Sequence, residues 1–236
     1  MADTIRETII VALQAKLGEI RTANGYNSEC GQRVERAAFY FRANELPAIS
    51  IFPMPETATQ EYGANVCTMP VQVRALFEHG ASSPSEVGEQ VLGDLIECAA
   101  GLERLLTFQS GGIEPQAGDI LTGSIGGATA VVLGLTLTDG SWLAGDAEGT
   151  IRVRGQDGTF QAENLLIDGE TAAAILGDSI EYPAKWTATG SAKDNIWYRG
   201  GGIEDYPQAD DHATLVVVNF EVVYRTKATT PYERPA

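Results

Sequence analysis

The sequence predicts an α+β fold, in which a mixed or antiparallel sheet is packed by two main helices and is interrupted by a small all-β subdomain. Two stretches carry apolar residues at helical spacing, and two others alternate apolar and polar residues as strands do. A glycine-rich segment of about 70 residues separates the second helix from the last strand. We therefore expect a discontinuous domain, residues 1–110 and 181–236, with residues 111–180 inserted as a β-rich subdomain.

The first helix is predicted close to the amino terminus. Thr4 and Glu7 form a capping-box pattern, which places the start of a helix at this point. Apolar residues then recur every three or four positions, at Ile5, Ile9, Leu13, Leu17 and Ile20. The helix is expected to end before Asn24-Gly25.

Two strands follow this helix. The first is short and is bracketed by Pro47 and Pro53. The second alternates apolar and polar residues from Cys67 to Phe77, as a strand with one buried face does. Pro70 lies on the outward phase, so the first half of this strand is expected at a sheet edge.

The second helix is predicted over residues 84–107. Ser83, Pro84 and Glu86 combine an N-cap, a proline at the first helical position and an acidic third residue. An apolar stripe follows at Val87, Val91, Leu95, Cys98, Leu102 and Leu105. Because Cys98 lies in this stripe, it is expected to be a packed thiol. The three cysteines are widely spaced and odd in number, so all are expected to be reduced and mostly buried.

The segment 111–180 follows a different compositional rule. It holds fourteen of the 26 glycines, and its ten acidic residues face only Arg152 and Arg154, so it carries half of the net charge of −16. Asp139-Gly140, Asp157-Gly158 and Asp168-Gly169 favour tight turns between short strands. A flexible linker is the alternative, but the segment has more large apolar residues than disordered chains carry.

The last strand is predicted from Thr214 to Thr226. One face is wholly apolar, from Val216 to Tyr224, and the other is mixed. The mixed face is either a contact surface or an ordinary solvated face.

Composition restricts the function classes. No stretch is apolar for long enough to span a bilayer, and the start lacks a signal-peptide pattern, so a soluble, unexported protein is expected. The negative charge argues against a surface that grips nucleic acid phosphates.

No residue pattern indicates catalysis, a cofactor or a metal. His79 and His212 are the only histidines and have no metal-ligand spacing. Asp205, Asp210 and Asp211 match no calcium loop, so a solvated acidic turn is expected. The glycines from Gly123 to Gly127 lack the lysine and helix start of a phosphate loop. We therefore do not expect an enzyme.

The outer parts of the chain, about 160 residues, resemble the tail-terminator (tail-completion) proteins of long-tailed bacteriophages. The resemblance rests on the order of several features rather than on one motif. These are the first helix closing in Gly25-Tyr26, the Leu46-Pro47 strand, the long strand to Phe77, the Pro84 helix, Tyr198-Arg199-Gly200-Gly201, and the final Val223-Tyr224-Arg225-Thr226. Residues 111–180 are not part of it.

The resemblance implies a structural virion protein, made in the host cytoplasm. It would form a ring, hexameric in this family, that caps the head-proximal end of the tail tube, ends tube polymerisation and provides a docking surface for the head–tail connector in the neck. The implied partners are other copies of the chain, the major tail tube protein and the connector. DNA would pass through the ring without being specifically bound, and no membrane is involved. An acidic ring lining would repel the phosphates of the moving duplex.

Candidate ring or tube contacts come from three parts of the chain, because a closed ring needs two different faces on each subunit. They are the Asn24–Arg36 loop, the mixed face of the last strand and the arm from Lys227 onwards. The candidate residues are Tyr26, Arg33, Arg36, Leu215, Val217, Asn219, Glu221, Arg225 and Tyr232. The alternative function is a carbohydrate-binding or surface-binding β-module protein without a ring role. In either case Trp142 is the candidate contact of the inserted segment.

Overall fold

The computed structural model describes residues 3–78, 83–182, 195–205 and 213–233. Of these described residues, 49% lie in strands and 19% in helices, and the strands form two sheets, so the structure is mostly β. The predicted α+β class, with two main helices packing one sheet, is therefore wrong. The glycine-rich segment and the residues before it add a complete second sheet, and the second helix is shorter than predicted.

The α-helices are α1, Ile5–Leu17, and α2, Pro84–Ala100. Short 3-10 helices span Thr22–Asn24, Cys30–Gln32 and Ala43–Glu45. The strands, in chain order, are β1 (Val34–Arg36), β2 (Ala48–Pro53), β3 (Thr57–Glu61), β4 (Ala64–Glu78), β5 (Glu103–Gly111), β6 (Ile120–Gly123), β7 (Thr129–Asp139), β8 (Ala147–Asp157), β9 (Asn164–Ile167), β10 (Glu170–Ile175), β11 (Ile180–Glu181), β12 (Asn195–Asp205) and β13 (Ala213–Lys227).

The chain divides into two compact units. The first consists of Met1–Arg21, Asn27–Ala100 and Trp186–Ala236, and the second of Thr22–Tyr26 and Gly101–Lys185. The second unit thus begins ten residues before the segment 111–180 and also takes in a short piece of the chain after α1.

The sheet of the first unit has the order β1-β2-β4-β13-β12, and β3 pairs with the first part of β4. Only β1 and β2 are parallel; the other pairs are antiparallel. The expectation that the first half of β4 lies at a sheet edge is wrong, because this half pairs with β13 on one side and with β3 on the other. Pro70 is accommodated between the segments of β4 that pair with β3 and with β2.

Both helices start where the sequence predicts. The Thr4 side chain accepts a hydrogen bond from the Glu7 backbone N–H, which confirms the N-cap. Helix α2 starts at Pro84 as predicted but ends at Ala100 rather than at residue 107. The chain leaves the helix at Gly101, and Glu103–Gly111 pairs with β8 instead. Leu102, expected on the buried stripe, is 62% exposed.

The core of the first unit lies on one side of its sheet. It contains the buried apolar residues of α1, the buried residues of α2 and the even-numbered residues of β13 from Val216 to Tyr224. Cys30, Cys67 and Cys98 are unbridged and buried, which confirms the expectation for the thiols.

The second unit contains only strands and turns from residue 101 to residue 182. Its strand order is β10-β9-β6-β7-β8-β5-β11, and β10 also pairs with β5. This last pairing closes six antiparallel strands into a small barrel. Side chains fill the interior, among them Phe108, Ile151, Phe160 and Leu165, so the barrel encloses a packed core.

Among the described residues, neither helix has the length and apolar character that would carry it across a membrane.

Candidate protein contact surface

The sheet of the first unit has a second face, opposite the core, which we call the outer face. Cross-strand pairs place Phe52, Gln72 and Asn219 in one row of this face. The next row contains Pro70, Glu221 and Trp197. The alternation of side chains along each strand keeps these rows on the same side of the sheet.

One end of the outer face is covered by the chain itself. Leu215 and Val217, on β13, are 7% and 6% exposed and belong to a small apolar cluster with Phe41, Ala48 and Leu76. Ala38 and Leu46 pack against this cluster, so the segment 38–46 forms its lid. The two predicted contact residues Leu215 and Val217 are therefore buried within the chain itself.

Phe39, within this lid segment, takes part in a stack of aromatic rings and an arginine on the outer face. The Phe39 and Phe52 rings have centroids 5.0 Å apart, and the Arg74 guanidinium lies 4.7 Å from the centroid of Phe52. Phe52 is buried by this stack, whereas Phe39 is 76% exposed and Tyr40, next to it, is 57% exposed. A phenyl ring this exposed loses hydrophobic free energy that a protein contact would recover.

Two amides and a pocket lie beside this stack. Gln72 Nε2 donates to Asn219 Oδ1 at 3.2 Å, and Arg74 Nε donates to Gln72 Oε1 at 2.7 Å. The pocket has a volume of about 400 Å³. Its lining is mostly apolar and consists of Met54, Pro55, Pro70, Val71, Gln72, Asn219 and Phe220.

A second stack lies on the other flank of the amides, on the edge strand β12. Trp197 is 45% exposed, and the Arg199 guanidinium lies 5.2 Å from its ring centroid. Arg199 Nη2 also pairs with Glu221 Oε1 at 2.6 Å. Gly200, at φ 127°, follows Arg199 in a bulge that lets the residues on both sides keep their pairing with β13.

Arg74 differs from Arg199 in its electrostatic partners. It contacts an amide oxygen and an aromatic ring, but within the described ranges it forms no ion pair with a carboxylate. In a chain with a net charge of −16, such an arginine on an exposed face is suited to a carboxylate from another molecule.

Of the predicted contact residues on β13, Asn219 is exposed on the outer face, and Glu221 is half-buried beneath Arg199. Further along the strand, the Nη2 atom of Arg225 lies 3.9 Å from Oε2 of Glu61. The structure therefore brings Asn219 and Glu221 together with residues that the sequence did not single out.

The other two predicted regions, the Asn24–Arg36 loop and the arm from Lys227 onwards, form contacts within the chain. Arg33 pairs with Glu35 and Glu45, and Arg36 Nη1 pairs with Glu7 Oε1 at 2.5 Å. The arm after Lys227 folds back on itself, because the Lys227 N–H donates to the Glu233 carbonyl. It also contacts the start of α1, where the Ile5 N–H donates to the Pro231 carbonyl. Tyr232, in this arm, is 50% exposed.

The two candidate aromatic residues of the second unit take part in internal packing. Tyr26 is 4% exposed, and the Arg154 guanidinium lies 4.0 Å from its ring centroid. Trp142 is half-buried and stacks on Phe108 at a centroid distance of 5.0 Å. Neither ring is presented as an open contact.

Sequence reasoning missed Phe39, Tyr40, Arg74 and Trp197. The run Phe39-Tyr40-Phe41 between two predicted strands carried a usable signal, because three consecutive aromatic residues in a connection are more than its own packing requires. Arg74 and Trp197 gave no such signal, since their position on one face depends on the pairing of β2, β4, β13 and β12.

No group of three or more His, Cys, Asp or Glu side chains among the described residues could hold a metal ion. Burial raises the pKa of the Cys30 thiol to about 12, so this thiol stays protonated. His79, His212, Asp210 and Asp211 lie outside the described residues.

The glycine-rich turn after β6 binds a carboxylate of the chain itself. The backbone N–H groups of Ile125 and Gly126 donate to Glu163 Oε2, and that of Gln161 donates to Glu163 Oε1. The turn therefore offers its amides to Glu163.

The comparisons with known proteins add no relative: no protein-family model matches the chain, and no curated protein matches it significantly.

Proposed function

We propose that this protein is a structural component of a phage virion, a tail terminator that forms a ring on the head-proximal end of the tail tube. The ring ends tube polymerisation and presents a docking surface to the head–tail connector. Its work consists of binding other protein surfaces.

One observation carries the proposal: the exposed part of the outer face. Phe39, Tyr40 and Trp197 are exposed together with a pocket and an arginine without a carboxylate partner in the described part of the chain. Exposed aromatic residues and arginine, surrounded by polar groups, are typical of the centres of protein interfaces. That the assembly is a ring on the tail tube is inferred from the resemblance of the outer parts of the sequence to tail terminators.

The alternative, a carbohydrate-binding module built on Trp142, has less support. The ring of Trp142 stacks on Phe108, and its outer atoms lie over Gly111. A sugar-binding tryptophan has to present a ring face to solvent.

The proposal is tested on the full-length chain by native mass spectrometry and negative-stain electron microscopy. We expect a ring of identical subunits, six in this family, that forms in solution or on the ends of tubes made from a phage major tail tube protein. A chain that stays monomeric and does not bind tube ends would overturn the proposal. Selective retention on a glycan array, without assembly, would favour the carbohydrate-binding alternative.

A further inference from the structure

The turn between β3 and β4 presents a tyrosine away from its own subunit. Tyr62 is fully exposed, at 109% of its reference area, and it adopts a φ of 45°, which is uncommon for a residue with a Cβ. The following residue, Gly63, has φ 83° and completes the turn. All five residues of β3 are exposed as well, and β4 is the strand with which β3 pairs, so β3 lies at an edge of the sheet.

A carboxylate accompanies this aromatic ring. Glu61 directly precedes Tyr62, and its side chain is 51% exposed. Its partner in the subunit is Arg225 at 3.9 Å, a loose and solvent-exposed contact that contributes little. The tip of the hairpin therefore carries an aromatic residue and a carboxylate next to each other.

The outer face carries the complementary pair of features. Its pocket beside Met54 and Pro70 is mostly apolar, and at about 400 Å³ it is large enough for an aromatic side chain. Arg74 lies beside this pocket through its hydrogen bond to Gln72 and has no carboxylate partner among the described residues.

A subunit cannot fill its own pocket with its own hairpin tip. The tip and the pocket are separated along β4 by the residues from Gly63 to Pro70, which at the rise of a strand is about 23 Å. The two surfaces are also different in kind. A contact between them is heterologous, which is the type of contact that closes a ring.

We propose that the hairpin tip of one copy docks on the outer face of the next copy, with Tyr62 in the pocket and Glu61 paired with Arg74. This inference rests on the proposed ring function and names the contact between ring subunits. The tyrosine ring supplies buried apolar area, while the ion pair fixes which surfaces meet.

The first test is a charge exchange in the full-length chain, with assembly followed by native mass spectrometry over a range of concentrations. We expect Tyr62→Ala, Glu61→Arg and Arg74→Glu each to raise the concentration needed for half-maximal assembly at least tenfold. The double variant Glu61→Arg/Arg74→Glu should recover most of this loss, because the ion pair is restored with reversed sign. Val11→Ala and Glu89→Arg are the controls, since they change an exposed apolar residue and an exposed glutamate elsewhere in the same unit.

The second test detects the contact directly and does not depend on how a variant affects affinity. A Tyr62→Cys chain is mixed with an Asn219→Cys chain under mild oxidation, and disulfide-linked dimers are measured on a denaturing gel. The native thiols are buried and do not compete. We expect dimers in the mixture, but not in either variant alone or when Val11→Cys replaces Tyr62→Cys.

The outcomes separate this contact from the function on which it rests. If the unchanged chain forms rings while Tyr62→Ala, Glu61→Arg and Arg74→Glu assemble equally well and no cross-linked dimer forms, the hairpin contact is wrong and the ring function stands. If the unchanged chain neither assembles nor binds tube ends, both are overturned. Dimers within a single cysteine variant would show a symmetric contact and would also contradict the proposal.

Discussion

At the scale of single residues, Glu163 is the clearest case of a polar side chain that determines a local conformation. It is 6% exposed, and its carboxylate accepts hydrogen bonds from three backbone N–H groups in two loops of the barrel. Gly123 makes room for it, because a Cβ at that position would lie 2.5 Å from Glu163 Oε1. The acid therefore takes the place of backbone partners that these loops lack.

These hydrogen bonds to Glu163 predict that the stability of the barrel depends on pH. Burial raises the pKa of Glu163, but the N–H groups of Ile125, Gln161 and Gly126 lower it, and the net direction is below the ordinary value of 4.5. A lowered pKa in the folded state means that the ionised carboxylate stabilises the barrel above pH 4.5, and that this contribution disappears as the pH falls through the folded-state pKa. We expect Glu163→Gln to lower the free energy of unfolding of the barrel by about 1–3 kcal/mol at pH 7.

The measurement is chemical denaturation from pH 7 to pH 3, combined with hydrogen exchange at Ile125 and Gly126. The difference in free energy of unfolding between the unchanged chain and Glu163→Gln should become smaller as the pH falls. Glu170→Gln, which changes an exposed glutamate of the same barrel, should leave both readouts unchanged. A difference that is constant over the whole pH range would contradict the role of the charge.

Single residues also show what the sequence could and could not predict about the site. Asn219 was predictable, because its phase on β13 places it opposite the core. Leu215 and Val217 share that phase but are buried, since segment 38–46 folds over them and no local pattern reveals this cover. The stack of Phe39, Phe52 and Arg74 joins three segments that are distant in sequence, so only the folded sheet shows it.

At the scale of elements, the hairpin of β7 and β8 contains two neighbouring apolar residues with opposite environments. Trp142 stacks on Phe108 and lies close to Gly111, while Leu143 is fully exposed, at 100% of its reference area. Asp146 Oδ1 accepts a hydrogen bond from the Ser141 N–H and closes the turn between the strands. The turn thus directs one side chain onto the barrel and the next into solvent.

We expect Trp142→Ala to lower the free energy of unfolding of the barrel by about 2–4 kcal/mol, because the ring loses its packing on Phe108. Leu143→Ala should change it by less than about 0.5 kcal/mol, as surface substitutions usually do. Urea denaturation followed by far-ultraviolet circular dichroism measures both variants. Equal effects of the two substitutions would contradict this assignment and would reopen Trp142 as an exposed contact.

The elements differ in how well the sequence predicted them. The start of α2 was predicted because Ser83, Pro84 and Glu86 form a local signal. Its end was not, because Leu102 and Leu105 continue the helical spacing although Glu103–Gly111 is a strand. The pairing of that strand with β8 is a long-range interaction, and it overrides the local pattern.

At the scale of the whole molecule, the sequence showed two compositional zones, and the chain does have two compact units. The content of glycine and of acidic residues rises only from residue 111 onwards, because Gly111 is the last residue of β5 and the only glycine in this strand. The second unit nevertheless includes β5, whose Leu106 and Phe108 belong to the barrel core. Composition marks where the residue usage changes, whereas the closed set of strand pairs marks where the unit begins.

This difference predicts opposite outcomes for two deletions. Removing residues 113–179 would leave β5 without the strands it pairs with, and Leu106 and Phe108, which are 0% and 1% exposed, would face solvent. We expect that product to aggregate. Removing residues 103–182 and joining the ends with a short Gly-Ser linker takes out all seven strands of the second sheet, and we expect a soluble product.

Solubility, far-ultraviolet circular dichroism and native mass spectrometry distinguish the two deletion variants. The larger deletion should also carry Tyr26→Ser, because Tyr26 loses the Arg154 side chain that stacks on it. Since every residue of the proposed ring contact belongs to the first unit, the larger deletion should still assemble. An insoluble product from both deletions would mean that the first unit depends on the barrel for its stability, and a soluble but strictly monomeric product would place part of the ring contact on the barrel.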